Sequence, residues 1–197
     1  MRECILASGS PRRREILTNL GLPFMVAVSD VDETTTETEP GRMTEELSAR
    51  KGRAVRASLT CAGKDTAGKL LIASDTTVFC GGEILGKPRD TADARRMLTL
   101  LSGRRHEVVS GIWLSLDGRE AVSHAVTAVE FAPLTAREIA AYLESGEPFG
   151  KAGAYAIQGR AAAFIRGIEG DYFNVVGLPV NRMCELYRDT FGEDLLV

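Results

Sequence analysis

The stretch that decides the fold is "LASGSPRRREIL", which runs from Leu6 to Leu17. It begins in an apolar run that predicts a short buried strand over residues 4–7, and it continues through a turn of small residues. Ser10 and Pro11 are typical of a helix N-cap and of a first helical position, so we predict that a helix begins here. A strand followed at once by a helix is typical of α/β proteins.

Three consecutive arginines, Arg12, Arg13 and Arg14, occupy the first turn of this predicted helix. A helix N-terminus already carries partial positive charge, and a cation placed there costs roughly 0.3–1 kcal/mol. The arginines are therefore expected to face an anion, and a helix N-terminus with guanidinium groups suits a phosphate. The alternative is a solvated face that is paired with Glu15 or with the acidic segment at residues 29–40. The stretch is not a P-loop, because its motif occurs nowhere in the chain.

Strands and helices alternate along the rest of the chain. The predicted helices cover residues 11–20, 44–62, 91–101, 135–146 and a last segment from Pro179, and the predicted strands cover residues 24–28, 70–73, 108–116 and 121–131. Asp117-Gly118 predicts a hairpin turn, and Thr135 with Glu138 forms a capping-box pattern. The sequence therefore predicts an α/β protein, with a mixed sheet and flanking helices, as a single domain over residues 1–197.

Composition excludes several classes of function. The net charge of −3 over 197 residues leaves no general basic field for nucleic acid, so any anion binding is expected to be local. No apolar run approaches the roughly 20 residues of a membrane span, and no signal-peptide pattern is found, so no membrane partner is expected. The four cysteines are scattered and only two histidines occur, which argues against zinc. Reduced thiols in a cytoplasmic protein are the simpler interpretation.

A carboxylate and two lysines are candidates for chemistry. Asp75 follows the apolar run at residues 70–73 and is predicted to lie at or near the end of a strand, where ligands of α/β proteins collect. A carboxylate there can hold a divalent metal or accept a proton from water, or it can simply cap a turn. Lys87, in the stiff loop "LGKPRD", and Lys51, on the long helix, suit phosphate, but each also fits an ordinary surface lysine.

Gln158 lies in the glycine-rich segment "GAYAIQGRAAAFIRGIEGDYFNVVGLP", which begins at Gly153. An amide offers both a donor and an acceptor and can therefore recognise the edge of a nucleobase. The alternative is a glutamine that satisfies the backbone of its own loop. Together, the cations, the carboxylate and the amide are the groups that a nucleoside polyphosphate requires, and they predict a nucleotide site.

Three segments resemble the signature segments of the Maf family of nucleoside triphosphate pyrophosphatases. They are "LASGSPRRREIL", "ASDTTVFCGGEILGKPRD" and the glycine-rich segment, and their order and spacing also match. The resemblance implies a mixed α/β fold similar to that of the inosine triphosphate pyrophosphatases, with a cleft between two lobes. It also implies hydrolysis of a nucleoside triphosphate to the monophosphate and pyrophosphate, with a divalent cation (Mg or Mn) as cofactor.

The resemblance further implies roles for single residues. Asp75 matches the family's proposed general base, and Asp75 and Glu33 are the expected metal ligands. The positions expected to hold the phosphates are Ser8, Arg13, Lys51 and Lys87. No serine, cysteine or histidine stands out as a nucleophile, so direct attack by water at the α-phosphorus is expected.

Arg12, Thr76 and Gln158 match the branch of the family that acts on dTTP and UTP, and they are the expected determinants of specificity. A role in sanitising modified pyrimidine nucleotides is compatible with this assignment. One alternative is action on 7-methyl-GTP or another modified nucleotide, in a branch that typically has glutamine in place of Thr76. Another is a non-catalytic nucleotide-binding regulator, since the family has been linked with inhibition of septum formation. A further alternative is an α/β domain whose arginine cluster binds only sulfate or phosphate.

Two further expectations follow from the resemblance. Homodimers are common among such proteins, so a homodimer is a candidate assembly. One departure from the family pattern is Gly52, where alanine usually follows the helix lysine. Glycine in a helix interior costs roughly 1 kcal/mol relative to alanine, so the helix around Lys51 is expected to be less rigid.

Overall fold

A mixed sheet with helices on both faces organises the chain, and the computed structural model describes residues 2–197 of it. The seven strands found in these residues are β1 (Cys4–Leu6), β2 (Phe24–Val26), β3 (Leu70–Cys80), β4 (Glu83–Leu85), β5 (Arg105–Leu116), β6 (Arg119–Phe131) and β7 (Ile165–Glu169). The helices are α1 (Pro11–Asn19), α2 (Pro40–Cys61), α3 (Thr91–Leu101), α4 (Ala136–Glu144), α5 (Tyr172–Val176) and α6 (Val180–Phe191). The predicted fold class is confirmed. No helix within residues 2–197 combines the length and apolar character needed to cross a membrane.

The strand order leaves a gap beside β3. The order is β2-β1-β3-β5-β6-β7, with β1 parallel to β2 and β3 and the other pairs antiparallel. On the side of β3 away from β5, β1 pairs with residues 70–72 and the short β4 pairs with residues 78–80. Residues 73–77 therefore have a strand partner on the β5 side alone within the part of the chain that the structure describes.

The two faces of the sheet are buried by different helices. Alternate residues of a strand point to opposite faces. Leu70 and Ile72 pack with residues of α1 and α6, whereas Leu71 and Ala73 pack with residues of α2. A third cluster joins α3 and α4 to the far ends of β3, β5 and β6. The core thus divides into two regions along the sheet, with the gap in β3 between them.

Two glycines bring α2 very close to the sheet. A Cβ atom on Gly52 would lie 2.1 Å from Cε3 of the buried Trp113. A Cβ atom on Gly111 of β5 would lie 2.2 Å from the carbonyl oxygen of Thr44. The glycine that the sequence pattern treats as a cost to helix rigidity therefore allows α2 to pack directly on Trp113, and it places Lys51 against the sheet.

Three local predictions were wrong. Helix α2 begins at Pro40 rather than Thr44, because the Glu39 side chain caps it by accepting two backbone hydrogen bonds from its first turn. Ser10 occupies the N-cap position of α1, but its side chain makes no capping hydrogen bond. Asp75 does not lie at the end of a strand, because β3 continues through it and pairs with β5 on both sides of it.

Candidate functional site

A cleft of about 670 Å³ opens at the gap in β3. The structure brings together in its walls all nine residues that the sequence singled out. They are Ser8, Arg12, Arg13, Glu33, Lys51, Asp75, Thr76, Lys87 and Gln158. These residues come from the β1–α1 turn, the first turn of α1, the acidic segment before α2, α2 itself, β3, the loop before α3 and the glycine-rich segment. Residues that are distant in the chain therefore share one surface.

Two carboxylates and two lysines form one side of the cleft. The Lys51 ammonium lies 2.5 Å from Asp75 Oδ1 and 3.1 Å from Glu33 Oε1. The second oxygen of Glu33 lies 3.4 Å from Nζ of Lys87. Burial opposes ionisation of Glu33, but the attraction of the two lysines outweighs it and lowers the pKa of this carboxyl group. Lys51 is not an ordinary surface lysine, because its side chain is only 15% exposed, whereas that of Lys87 is 61% exposed.

The alternation of β3 separates the two central polar residues. Asp75 points to the face that α2 covers, where it meets Lys51. Thr76 points to the opposite face, where its Oγ1 accepts a hydrogen bond from Nη2 of Arg13 and lies 2.9 Å from Oγ of Ser110. The gap beside β3 exposes both faces at once, so the cleft reaches groups on either side of the sheet.

Arg13 connects three parts of the site. Its Nε donates to the carbonyl of Gly177 at 2.7 Å, Nη1 donates to Ser8 Oγ at 3.1 Å, and Nη2 donates to Thr76 Oγ1 at 3.1 Å. These groups are uncharged, so the alternative of pairing with Glu15 or with the acidic segment does not hold for Arg13. Burial lowers the pKa of Arg13 to about 10, against the attraction of Asp75, and the group stays a cation at neutral pH. Two of its five N–H groups remain for a ligand.

Arg12 and Lys151 form the basic end of the cleft. Nε of Arg12 is buried and has no hydrogen-bond partner among the described residues. A buried donor without a partner costs free energy, and the repulsion between Arg12 and Lys151 adds to the positive character of this end of the cleft. Burial and the repulsion of Arg12 lower the pKa of Lys151, which also lines the cleft. Sequence reasoning missed Lys151, because a lysine in a glycine-rich loop carries no local signal of burial.

Gly177 is a second residue that sequence reasoning missed. Its carbonyl accepts hydrogen bonds from Arg13 Nε and from Ser74 Oγ, the latter at 3.0 Å. Its φ is +122°, and a Cβ atom there would lie 3.4 Å from Oγ1 of Thr76. A glycine is therefore required to turn this carbonyl toward Arg13. The sequence shows only one glycine among several in the segment.

Asp75 and Glu33 are the groups in the cleft that could hold a metal. Residues 2–197 contain no group of three or more histidine, cysteine, aspartate or glutamate side chains that could do so. Mg²⁺ is usually bound by one or two carboxylates together with substrate phosphates rather than by a full set of protein ligands. Two carboxylates that share one ammonium contact suit an ion of that kind, because the cations around them can hold the phosphates.

A cleft with grouped cations and a carboxylate fixed in its central strand defines a site for a polyphosphate ligand. The chain belongs to the family whose model is described as "Maf-like protein", which matches residues 3–190. The resemblance drawn from the three segments is therefore confirmed.

Two relatives are similar in sequence to this chain over almost its whole length. The dTTP/UTP pyrophosphatase of Moorella thermoacetica is 49% identical over 198 residues, which cover 99% of this chain and 98% of that protein. The dTTP/UTP pyrophosphatase of Symbiobacterium thermophilum is 48% identical over 187 residues, which cover 94% and 93%. Among solved structures, the Ham1 protein of Staphylococcus aureus matches with a TM-score of 0.47 at 21% identity, over 66% of this chain and 72% of that one.

Proposed function

We propose that the protein hydrolyses dTTP and UTP to the nucleoside monophosphate and pyrophosphate. Membership of the Maf family supports this proposal, as do the names of relatives that match nearly full length. The observation that carries it is the convergence of five cations and three carboxylates on the cleft at the gap in β3. The predicted cytoplasmic location is part of the proposal and rests on the four free cysteines.

In the proposed mechanism, Asp75 activates the attacking water. Its carboxylate lies in the floor of the cleft, and the Asp75 side chain is 12% exposed, so it is fixed in place yet reachable. Asp75 orients the water and accepts its proton while the water oxygen bonds to the α-phosphorus. The bond from that phosphorus to the bridging oxygen breaks, and pyrophosphate leaves with the electron pair. No covalent enzyme intermediate is formed.

The cations stabilise the departing pyrophosphate. Ser8, Arg13, Lys51 and Lys87 are the residues assigned to the phosphates, and all four line the cleft. Positive groups that are already in place when negative charge develops lower the barrier, because little reorganisation is needed. Arg13 suits this role best, since three hydrogen bonds fix its plane and leave two N–H groups for phosphate oxygens.

A divalent cation, Mg or Mn, is part of the proposal, with Asp75 and Glu33 as the residues that would hold it. When bound, it would supply additional positive charge at the phosphate oxygens. The chain's own contribution is to keep both side chains close to Lys51, which prevents two facing carboxylates from repelling each other before the ion binds.

Arg12, Thr76 and Gln158 are assigned to recognition of the pyrimidine base. The exposed Gln158 side chain offers a donor and an acceptor to the 3-NH and the 4-oxo group. Arg12 also lines the cleft, and its guanidinium group is a further donor for a base oxygen. The hydroxyl of Thr76 is held by Arg13 and Ser110, so its contribution is to shape the floor of the cleft.

Pyrophosphate release tests the proposal. The wild type, Asp75→Asn and the exposed-surface control Asp189→Asn are incubated with a panel of nucleoside triphosphates, including 7-methyl-GTP, with Mg²⁺, Mn²⁺ or EDTA. We expect release from dTTP and UTP by the wild type and the control, loss of release in Asp75→Asn, and loss in EDTA. Preference for 7-methyl-GTP would move the protein to the other branch. Binding of dTTP without any release would support the regulatory alternative.

A further inference from the structure

The loop that carries Gln158 is held on both sides by α4 and the turn that follows it. The backbone N–H of Ala156 donates to the Tyr142 hydroxyl at 3.3 Å. The backbone N–H of Arg160 donates to Oε2 of Glu147 at 3.0 Å. The three residues between these hydrogen bonds include Gln158, so the position of its backbone is determined from both ends.

The two side chains are also joined to each other. The Tyr142 hydroxyl donates to Oε1 of Glu147 at 2.8 Å. Burial raises the pKa of Tyr142, so its hydroxyl keeps its proton. Burial opposes ionisation of Glu147, but hydrogen bonds from Arg160 and Tyr142 outweigh it and lower its pKa. At neutral pH the hydrogen bond of the Tyr142–Glu147 pair therefore runs from a neutral tyrosine hydroxyl to a charged glutamate carboxylate.

The carboxylate of Glu147 also packs against the backbone next to Gln158. A Cβ atom on Gly159 would lie 2.2 Å from Glu147 Oε1, so only glycine allows this approach. Lys151 stabilises the turn that contains Glu147, because its ammonium donates to the Glu147 backbone carbonyl at 2.5 Å. Glu147 and Lys151 line the same cleft as Gln158.

We propose that Glu147 and Tyr142 are positioning residues that fix Gln158 against the nucleobase and thereby set the selectivity for pyrimidine over purine triphosphates. The inference rests on the base-recognition role assigned to Gln158 in the proposed function. The hydrogen bonds of the Tyr142–Glu147 pair lead to the Gln158 loop, whereas the phosphates are assigned to the β1–α1 turn, α1, α2 and Lys87. Loss of the pair therefore affects recognition of the base more than hydrolysis.

The test compares kcat and KM for dTTP and GTP in the wild type, Glu147→Ala, Glu147→Gln and the control Glu144→Gln, an exposed glutamate of α4. In Glu147→Ala, the ratio of kcat/KM for dTTP to that for GTP should fall about tenfold, as expected when a charged hydrogen-bond partner is lost. The fall should come from KM for dTTP, with kcat unchanged within about twofold. Glu147→Gln should be intermediate, because its amide oxygen still accepts, and the control should match the wild type.

A double-mutant cycle separates positioning from general destabilisation. In a Gln158→Ala background, Glu147→Ala should cause no further loss of selectivity, because the residue it positions is absent. A further loss there, or an equal loss for dTTP and GTP, would overturn the proposal.

Calorimetric Kd values for dTTP and GTP, measured in EDTA, keep the test independent of turnover. If the wild type releases no pyrophosphate from any nucleotide, the proposed function fails. The Kd ratio then decides the positioning role, which is overturned if the ratio is the same in the wild type and in Glu147→Ala.

Discussion

Replacement of Gly52 by alanine changes both helix propensity and packing, and the two predict opposite effects on the stability of the folded protein. Alanine in place of glycine favours an isolated helix by about 1 kcal/mol. In the folded protein, the new Cβ would lie 2.1 Å from Cε3 of Trp113, far inside contact distance. Trp113 cannot move aside easily, because it is 1% exposed and its indole N–H donates to Glu120 at 3.1 Å.

The net effect of Gly52→Ala should therefore be destabilising. Overpacking of a filled core costs roughly 1–3 kcal/mol, and a clash this short belongs at the upper end of that range. Subtracting about 1 kcal/mol of helix propensity leaves about 2 kcal/mol of lost stability. For a chain of this size, a loss of about 2 kcal/mol lowers Tm by roughly 4–8 °C. Lys51 is adjacent, so a displaced α2 should also reduce pyrophosphate release.

Thermal unfolding and denaturant titration of the wild type and Gly52→Ala measure the effect. The double variant Gly52→Ala with Trp113→Leu provides the control, because a smaller side chain at 113 removes the clash. In the Trp113→Leu background the alanine should be neutral or stabilising. A Gly52→Ala protein that is more stable than the wild type would refute the packing argument and leave helix propensity as the deciding effect.

Three other substitutions have expected outcomes. Asp75→Asn should lower the rate of pyrophosphate release by roughly 10²–10⁴-fold, the usual contribution of a general base, while circular dichroism stays that of the wild type. Gly177→Ala should raise KM and lower stability by roughly 1–3 kcal/mol, because alanine at a φ of +122° is strained and the carbonyl that holds Arg13 would move. Burial lowers the pKa of His106 to about 4, so the unfolded chain binds an extra proton between about pH 6.5 and 4. Stability should therefore fall as the pH drops through that range, and His106→Phe should reduce this dependence in denaturant titrations at pH 7 and pH 4.5.

Features that depend on neighbouring residues in the chain could be predicted from the sequence. The capping box at Thr135 is present with both of its hydrogen bonds, and Asp117-Gly118 forms the turn between β5 and β6. The last helix begins at Val180, one residue after the predicted start. Each of these features depends on the backbone preference of a few adjacent residues, and that preference can be inferred from the residue types alone.

Features that depend on register could not be predicted in this way. Asp75 was expected at the end of a strand, and the strand that ends beside it is in fact β1. Leu6 pairs with Ile72, so β1 stops before it reaches Asp75. The contact of Gly52 with Trp113 joins two distant parts of the chain. Because of this contact, the glycine that was expected to weaken α2 is required for its packing. The Glu39 cap was missed because serine, threonine, asparagine and aspartate are the usual residues at that position.

The grouping of the nine site residues was predicted through the family resemblance more than through local pattern. The pattern alone left each of the two lysines open to interpretation as a surface residue. The structure places both against Glu33 in one cleft. What it adds is the supporting contacts: Gly177 behind Arg13 and Glu147 beside Gln158 have no recognisable signal in the sequence, because their roles depend on distant backbone atoms.

The gap in the sheet also determines how mobility is distributed around the site. Asp75 lies in the interior of β3, where the ladder to β5 holds the backbone before and after it. Glu33 and Lys87 lie on connecting segments outside helices and strands. Opening of the backbone at Asp75 therefore requires the central sheet to break, whereas the loops can open at lower free energy. The entropy cost of ordering the site on substrate binding should therefore fall on Glu33 and Lys87, with Asp75 already in place.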